Sequence, residues 1–153
     1  MTVILLSLLI GVVAGLRTMT APAAAAFGAR YGAVAVAGTP MAFMGHAWTP
    51  WIFGVLAVVE FVTDQLPSTP SRKVPAQFTA RVVTGALSGA TLAAPSGSIV
   101  SGLIAGIVGA VVGTLGGAAV RARMAAAFGK DRPAAIIEDM VAIAAAVLIV
   151  VSS

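Results

Sequence analysis

The chain has no cysteine, one histidine and only five acidic residues among 153, and each scarcity removes a class of chemistry. Without cysteine there is no disulfide, no thiolate metal site and no thiol nucleophile. His46, beside Trp48, reads as an interfacial loop residue. One histidine cannot build a ligand cluster of the HExxH type, nor is it at membrane depth to activate Thr18, Thr20 or Ser88, so metal-dependent and nucleophilic hydrolysis are both disfavoured. Charged residues make up 9% of the chain, against about a quarter in soluble domains. The basic ones form no stripe with interleaved aromatics, so nucleic acid is not an expected partner. No motif asks for a metal or another cofactor. The expectation is a protein that is not an enzyme; a carboxylate pair of Glu60 with Glu138 would rest on two acids and nothing more.

What is abundant is apolar surface. Hydrophobic side chains are 59% of the chain and the mean hydropathy is +1.06, which predicts an all-α integral membrane protein. The apolar runs predict a single transmembrane domain over residues 1–153, a small bundle of about five membrane helices near residues 3–26, 51–66, 77–94, 98–127 and 133–151. Arg17 and Pro22 interrupt the first, so it reads as a retained and broken helix, not a cleaved signal. The stretch from Gly28 to Pro50 carries glycines, two prolines and a single charge, Arg30, and fits an interfacial loop, a re-entrant segment or the second half of a discontinuous helix; an extra crossing by residues 28–45 within it is also open. Pro67 ends the second helix in a polar turn containing Arg72 and Lys73. A bundle of this size cannot enclose a wide solvated path alone, so a homo-oligomer is expected, with membrane lipids as further partners.

The fourth helix carries the clearest periodicity. Gly102, Gly106, Gly109, Gly113 and Gly116 are spaced 4, 3, 4 and 3 apart, one stripe down one face. Each glycine costs roughly 1 kcal/mol relative to alanine inside a helix, a cost offset where another backbone approaches closely. Tight glycine-mediated helix packing is the expectation. Basic residues cluster at 72–73 and 130–132, so the positive-inside rule places those loops, and with five spans the N-terminus, on the cytoplasmic side of the inner (plasma) membrane.

The intramembrane charges are the candidate site. Glu60 and Asp64 are four apart and share a helix face, and Glu138 and Asp139 lie one to two turns inside the last helix. Arg81 and Arg121 reach the same layer, while Arg17 in a continuous first helix lies beyond it. Carboxylates at such depth need a partner, a proton, a cavity or a function. Asp64 and Asp139 are expected to pair with Arg81 or Arg121. Glu60, deeper and without an evident partner, carries most of the functional expectation.

Two short matches hint at an internal repeat: GLRTMTAPAA from Gly15 with GALSGATLAA from Gly85, and VVEF at Glu60 with IIED at Glu138. GLR at Gly15 to Arg17, E-x-x-x-D-x-x-P from Glu60 to Pro67, Arg81 before V-x-G-A-L, and Glu138-Asp139 together resemble the bacterial membrane proteins grouped as the domain of unknown function 4126 family. The resemblance implies a multi-helix membrane protein with the same acidic positions, and no established activity, substrate or cofactor. That family often has lysine directly after the aspartate of the second helix, where this chain has Gln65.

Two functional readings are open. In the first, the protein is a transporter or channel in which Glu60, Asp64, Glu138 and Asp139 offer a site to a cation or proton and Arg17, Arg81 and Arg121 balance them. In the alternative it is a non-transporting scaffold, assembly or lipid-binding protein with structural ion pairs.

Overall fold

The computed structural model describes residues 2–66, 71 and 73–153; the predicted turn at 67–70 and Arg72 lie outside the described residues. Among the described residues six α-helices form one bundle: α1 Thr2–Leu16, α2 Thr20–Tyr31, α3 Thr49–Asp64, α4 Pro75–Ala93, α5 Ile99–Phe128 and α6 Asp131–Val151. Short 3-10 turns lie at Ala42–Gly45 and Ala94–Ser96.

The first apolar run does not continue through its break. The chain reverses at Arg17, Thr18 and Met19, and α2 returns beside the end from which α1 started. Val3, residues 32–35, Leu92, Pro95 and Ser153 consequently border one surface hollow. Pro22 is tolerated there because it lies in the first turn of α2, where a backbone N–H has no helical acceptor in any case. From that apolar end α3 descends, α4 ascends, α5 descends and α6 ascends. Arg17, Asp64, Arg81, Arg121 and Asp131 all gather at the opposite, charged end.

This reversal overturns the expectation of about five transmembrane helices. Among the described residues only α5 and α6 are long and apolar enough to cross a membrane. The segment at 3–26 is divided into helices of 15 and 12 residues, and α3 has 16, all short of the ~20 residues that span a bilayer core. α4 has 19 residues, but Gln77, Thr79, Arg81 and Thr84 make its first half polar. Of the alternatives for residues 28–45, the extra crossing is not made: α2 brings the chain back, and beyond Gly32 it forms a connection across the apolar end. The start of α1 therefore lies away from the basic loops, not beside them.

The first of the two matches for a repeat fails on the same ground. GLRTMTAPAA straddles a chain reversal, whereas its match lies in the continuous helix α4 and its terminal turn. Equal spacing of small residues does not encode equal backbone paths.

α5 packs between α1 and α4, and small residues set the distance. A Cβ on Gly85 would lie 2.7 Å from the Ala110 methyl, and one on Gly15 2.5 Å from the Thr114 nitrogen. Cβ atoms on Gly102 and Gly106 would meet the backbone of α4, and on Gly109 and Gly113 that of α1. Four members of the stripe thus face two different helices. Gly116 is the exception, with nothing near its missing side chain. Around this core α2, α3 and α6 form a second group, with Phe27 of α2 edge-on to Trp51 of α3 at 5.5 Å. Tyr31, Trp48 and Trp51 are exposed at the apolar end, the disposition of an aromatic belt. Large apolar side chains stay exposed along α3, α5 and α6, a surface suited to lipid and not to water.

Candidate functional site

The α1–α2 reversal creates two helix termini side by side in the bundle, and the charges answer them. The last carbonyls of α1 form the negative end of its dipole. Arg81 of α4 donates through Nη1 to Gly15 O and Leu16 O, each at 2.9 Å. The first amides at the edge of α2 form a positive end. Glu60 of α3 accepts there from Thr18 N and Met19 N, each at 2.8 Å, one on either carboxylate oxygen. Arg81 Nη2 and Glu60 Oε1 lie 3.8 Å apart, so the two caps form a loose ion pair.

Arg17 occupies the reversal itself. Its side chain is fully buried, with Nη1 2.7 Å from Asp64 Oδ2 of α3 and Nη2 against Asp139 Oδ1 of α6. Phe61 covers the guanidinium, with its ring centroid 5.7 Å from Cζ, a cation–π distance. The ion-pair contacts are close but not aligned as hydrogen bonds, and Nε has no acceptor among the described residues. Arg17 is therefore held by charge and by packing more than by hydrogen bonding.

Arg121 makes the third node. Near the end of α5, it is bidentate to Asp131, with Nε to Oδ1 at 3.0 Å and Nη2 to Oδ2 at 2.6 Å. Its Nη1 reaches Asp64 Oδ2 at 2.6 Å and Glu138 Oε2 at 3.3 Å. Asp64 thus bridges Arg17 and Arg121. The fork geometry of guanidinium suits such shared pairing better than an ammonium would.

The layer that the sequence predicts exists, with different partners. Asp64 does meet Arg121, but its second arginine is Arg17, and Asp139 meets Arg17 and not Arg81 or Arg121. Arg17, expected outside the layer in a continuous helix, is central because the chain turns at that residue. Arg81 serves Glu60 and backbone carbonyls. Glu60, expected to lack a partner, has two backbone N–H groups. Glu138 is buried, 6% exposed, and lies against Arg121.

Sequence reasoning missed Thr18, Met19, Phe61 and Asp131. The first two act through backbone alone and leave no side-chain signal. Asp131 had one: an acid in the first turn of a helix that comes after an arginine-bearing helix. His46 lies exposed in the connection across the apolar end. No group of three or more metal-binding side chains occurs among the described residues.

No curated protein and no solved structure matches the chain. A family model does, over residues 4–152. With its helical bundle, apolar exposed faces and arginine–carboxylate layer covered almost end to end by that match, the chain belongs to the DUF4126 family, a domain of unknown function.

Proposed function

We propose that the protein is a non-transporting membrane component, a scaffold, assembly or lipid-binding protein, in which the intramembrane charges hold the bundle together. The observation that carries this reading is the use to which Glu60 is put. The residue best suited by sequence to bind a cation spends both carboxylate oxygens on the amides of Thr18 and Met19. A cation entering there would compete with two backbone N–H groups that have no other acceptor in the hairpin. Asp64 and Asp139 are likewise engaged by Arg17.

In this reading α5 and α6 cross the inner membrane, and the charged end faces the cytoplasm. Among the described basic residues only Arg30 belongs to the other end, a distribution that the positive-inside rule assigns to the cytoplasmic face. The remaining helices fill the bundle between the apolar end and the charged layer. α1, at 15 residues, reaches about 22 Å from one to the other.

Reconstitution tests it. Proteoliposomes of the wild type should pass protons, monovalent and divalent cations and small polar solutes no faster than protein-free vesicles. Flux that Glu60→Gln or Asp139→Asn abolishes, without loss of folded protein, would overturn the proposal.

A further inference from the structure

An apolar groove of about 420 Å³ runs between α1, α5 and α6. Its floor is Gly113, Gly116 and Gly117, and its walls include Leu16 of α1 and Val141 of α6. From Val112 to Met124 it spans twelve residues of α5, about 18 Å. Water centres fill that length over a width of about 5 Å, so the walls stand about 8 Å apart, against about 10–12 Å for a helix with its side chains. One extended hydrocarbon chain fits within the groove, whereas a helix could only lie across its mouth. Gly116 is the member of the glycine stripe that no helix of the bundle uses, since a Cβ there would meet nothing within 4 Å. It keeps the groove open.

The groove is polar at one end only. Arg121 and Glu138 line it there, 3.3 Å apart, with Arg121 held more closely by Asp64 and Asp131. Beyond them, Arg123 and Lys130 are exposed, and neither has a carboxylate within ion-pair distance among the described residues. Arg132 is turned to the end of α3, beside Asp64, Gln65 and Leu66, whereas Arg123 follows the groove-lining Arg121 by two residues and Lys130 lies between α5 and α6 at the same end. That is where a headgroup would emerge from a chain seated in the groove. Basic side chains at such a level attract anionic headgroups.

We infer that the groove is a binding site for one acyl chain of an anionic phospholipid, its phosphate held by Arg123 and Lys130. The inference deepens the lipid-binding side of the proposed function and rests on it, but its readout is separate: solute flux would defeat the non-transporting reading without changing a lipid adduct.

The test is native mass spectrometry of the detergent-purified protein titrated with dioleoyl-phosphatidylglycerol and dioleoyl-phosphatidylcholine. Wild type should retain one phosphatidylglycerol per chain in preference to phosphatidylcholine. Replacing Arg123 and Lys130 by glutamine should remove the preference, by about fivefold per charge, while leaving phosphatidylcholine retention unchanged. Gly116→Leu should leave the melting temperature unchanged and abolish retention of both lipids. Undiminished phosphatidylglycerol binding in Gly116→Leu overturns the inference. So does a Gly116→Leu variant that retains lipid but changes oligomer size, which would make the groove a contact between copies.

Discussion

Replacing Glu60 by alanine separates a structural carboxylate from a transport site. The substitution removes two charge-assisted acceptors from Thr18 N and Met19 N, both at 2.8 Å. Hydrogen bonds to charged groups are worth about 1.5–3 kcal/mol each. The Glu60 side chain keeps 16% of its exposure, so the low end applies, giving about 3 kcal/mol for the pair. For a chain of this size the midpoint of thermal unfolding should fall by roughly 6–12 °C. Glu60→Gln should lie between, because its amide offers one good acceptor and presents an N–H₂ to the other backbone N–H. The assays are thermal unfolding in detergent and amide hydrogen exchange. Exchange should accelerate at Thr18, Met19 and the first turn of α2 before it does in α5. Unchanged melting and unchanged exchange at Thr18 and Met19 would refute the capping role, and loss of solute flux in an equally stable Glu60→Gln protein would refute the wider reading.

Three further outcomes are expected. Arg17→Gln should cost about 3–5 kcal/mol, the loss on removing one partner from a buried ion pair, and Asp139→Asn added to it should recover part of that cost in a double-mutant cycle of melting temperatures; additive losses would deny the pair any coupling. Gly109→Leu should sharply reduce folded yield, because its side chain would enter the backbone of α1, while Gly116→Leu is tolerated; equal yields in size-exclusion profiles would contradict the packing of α5. The absence of cysteine makes single-cysteine labelling clean: with the charged end cytoplasmic, Lys130→Cys should react with an impermeant maleimide only in inverted vesicles, and Ser153→Cys only in intact spheroplasts. Labelling of both from the same side would refute the arrangement of ends.

The packing stripe from Gly102 to Gly113 was legible because glycine at helical spacing has few other uses, although Gly116, read with it, faces no helix; the gathering of acids and arginines in one layer was legible too. What the residues did not disclose was direction. An apolar run from residue 3 to 26 looks the same whether the chain continues or doubles back. Arg17 and Pro22 marked a break without giving its angle. Once α2 is seen to return, Arg17 moves from outside the layer to its centre, and α1 to α3 become too short to span. Glu60 illustrates a different limit. Its partners are amides of Thr18 and Met19, which every non-proline residue possesses, so no residue type could announce them. Asp131 was the avoidable omission, since an acid beside Lys130 and Arg132 reads as a solvated turn until Arg121 is found gripping both of its oxygens.

The tip of the α1–α2 hairpin has a consequence for how the protein is made. Arg17 is synthesised before both of its counter-charges, which belong to α3 and α6, the latter the sixth helix described. A bare guanidinium at that depth in lipid is costly. Under the membrane arrangement proposed above, the hairpin would have to wait near the membrane surface or beside an insertion partner until Asp64 arrives, its final seat secured only by Asp139. The charged layer acts as a completion lock, engaged only when the whole bundle is present.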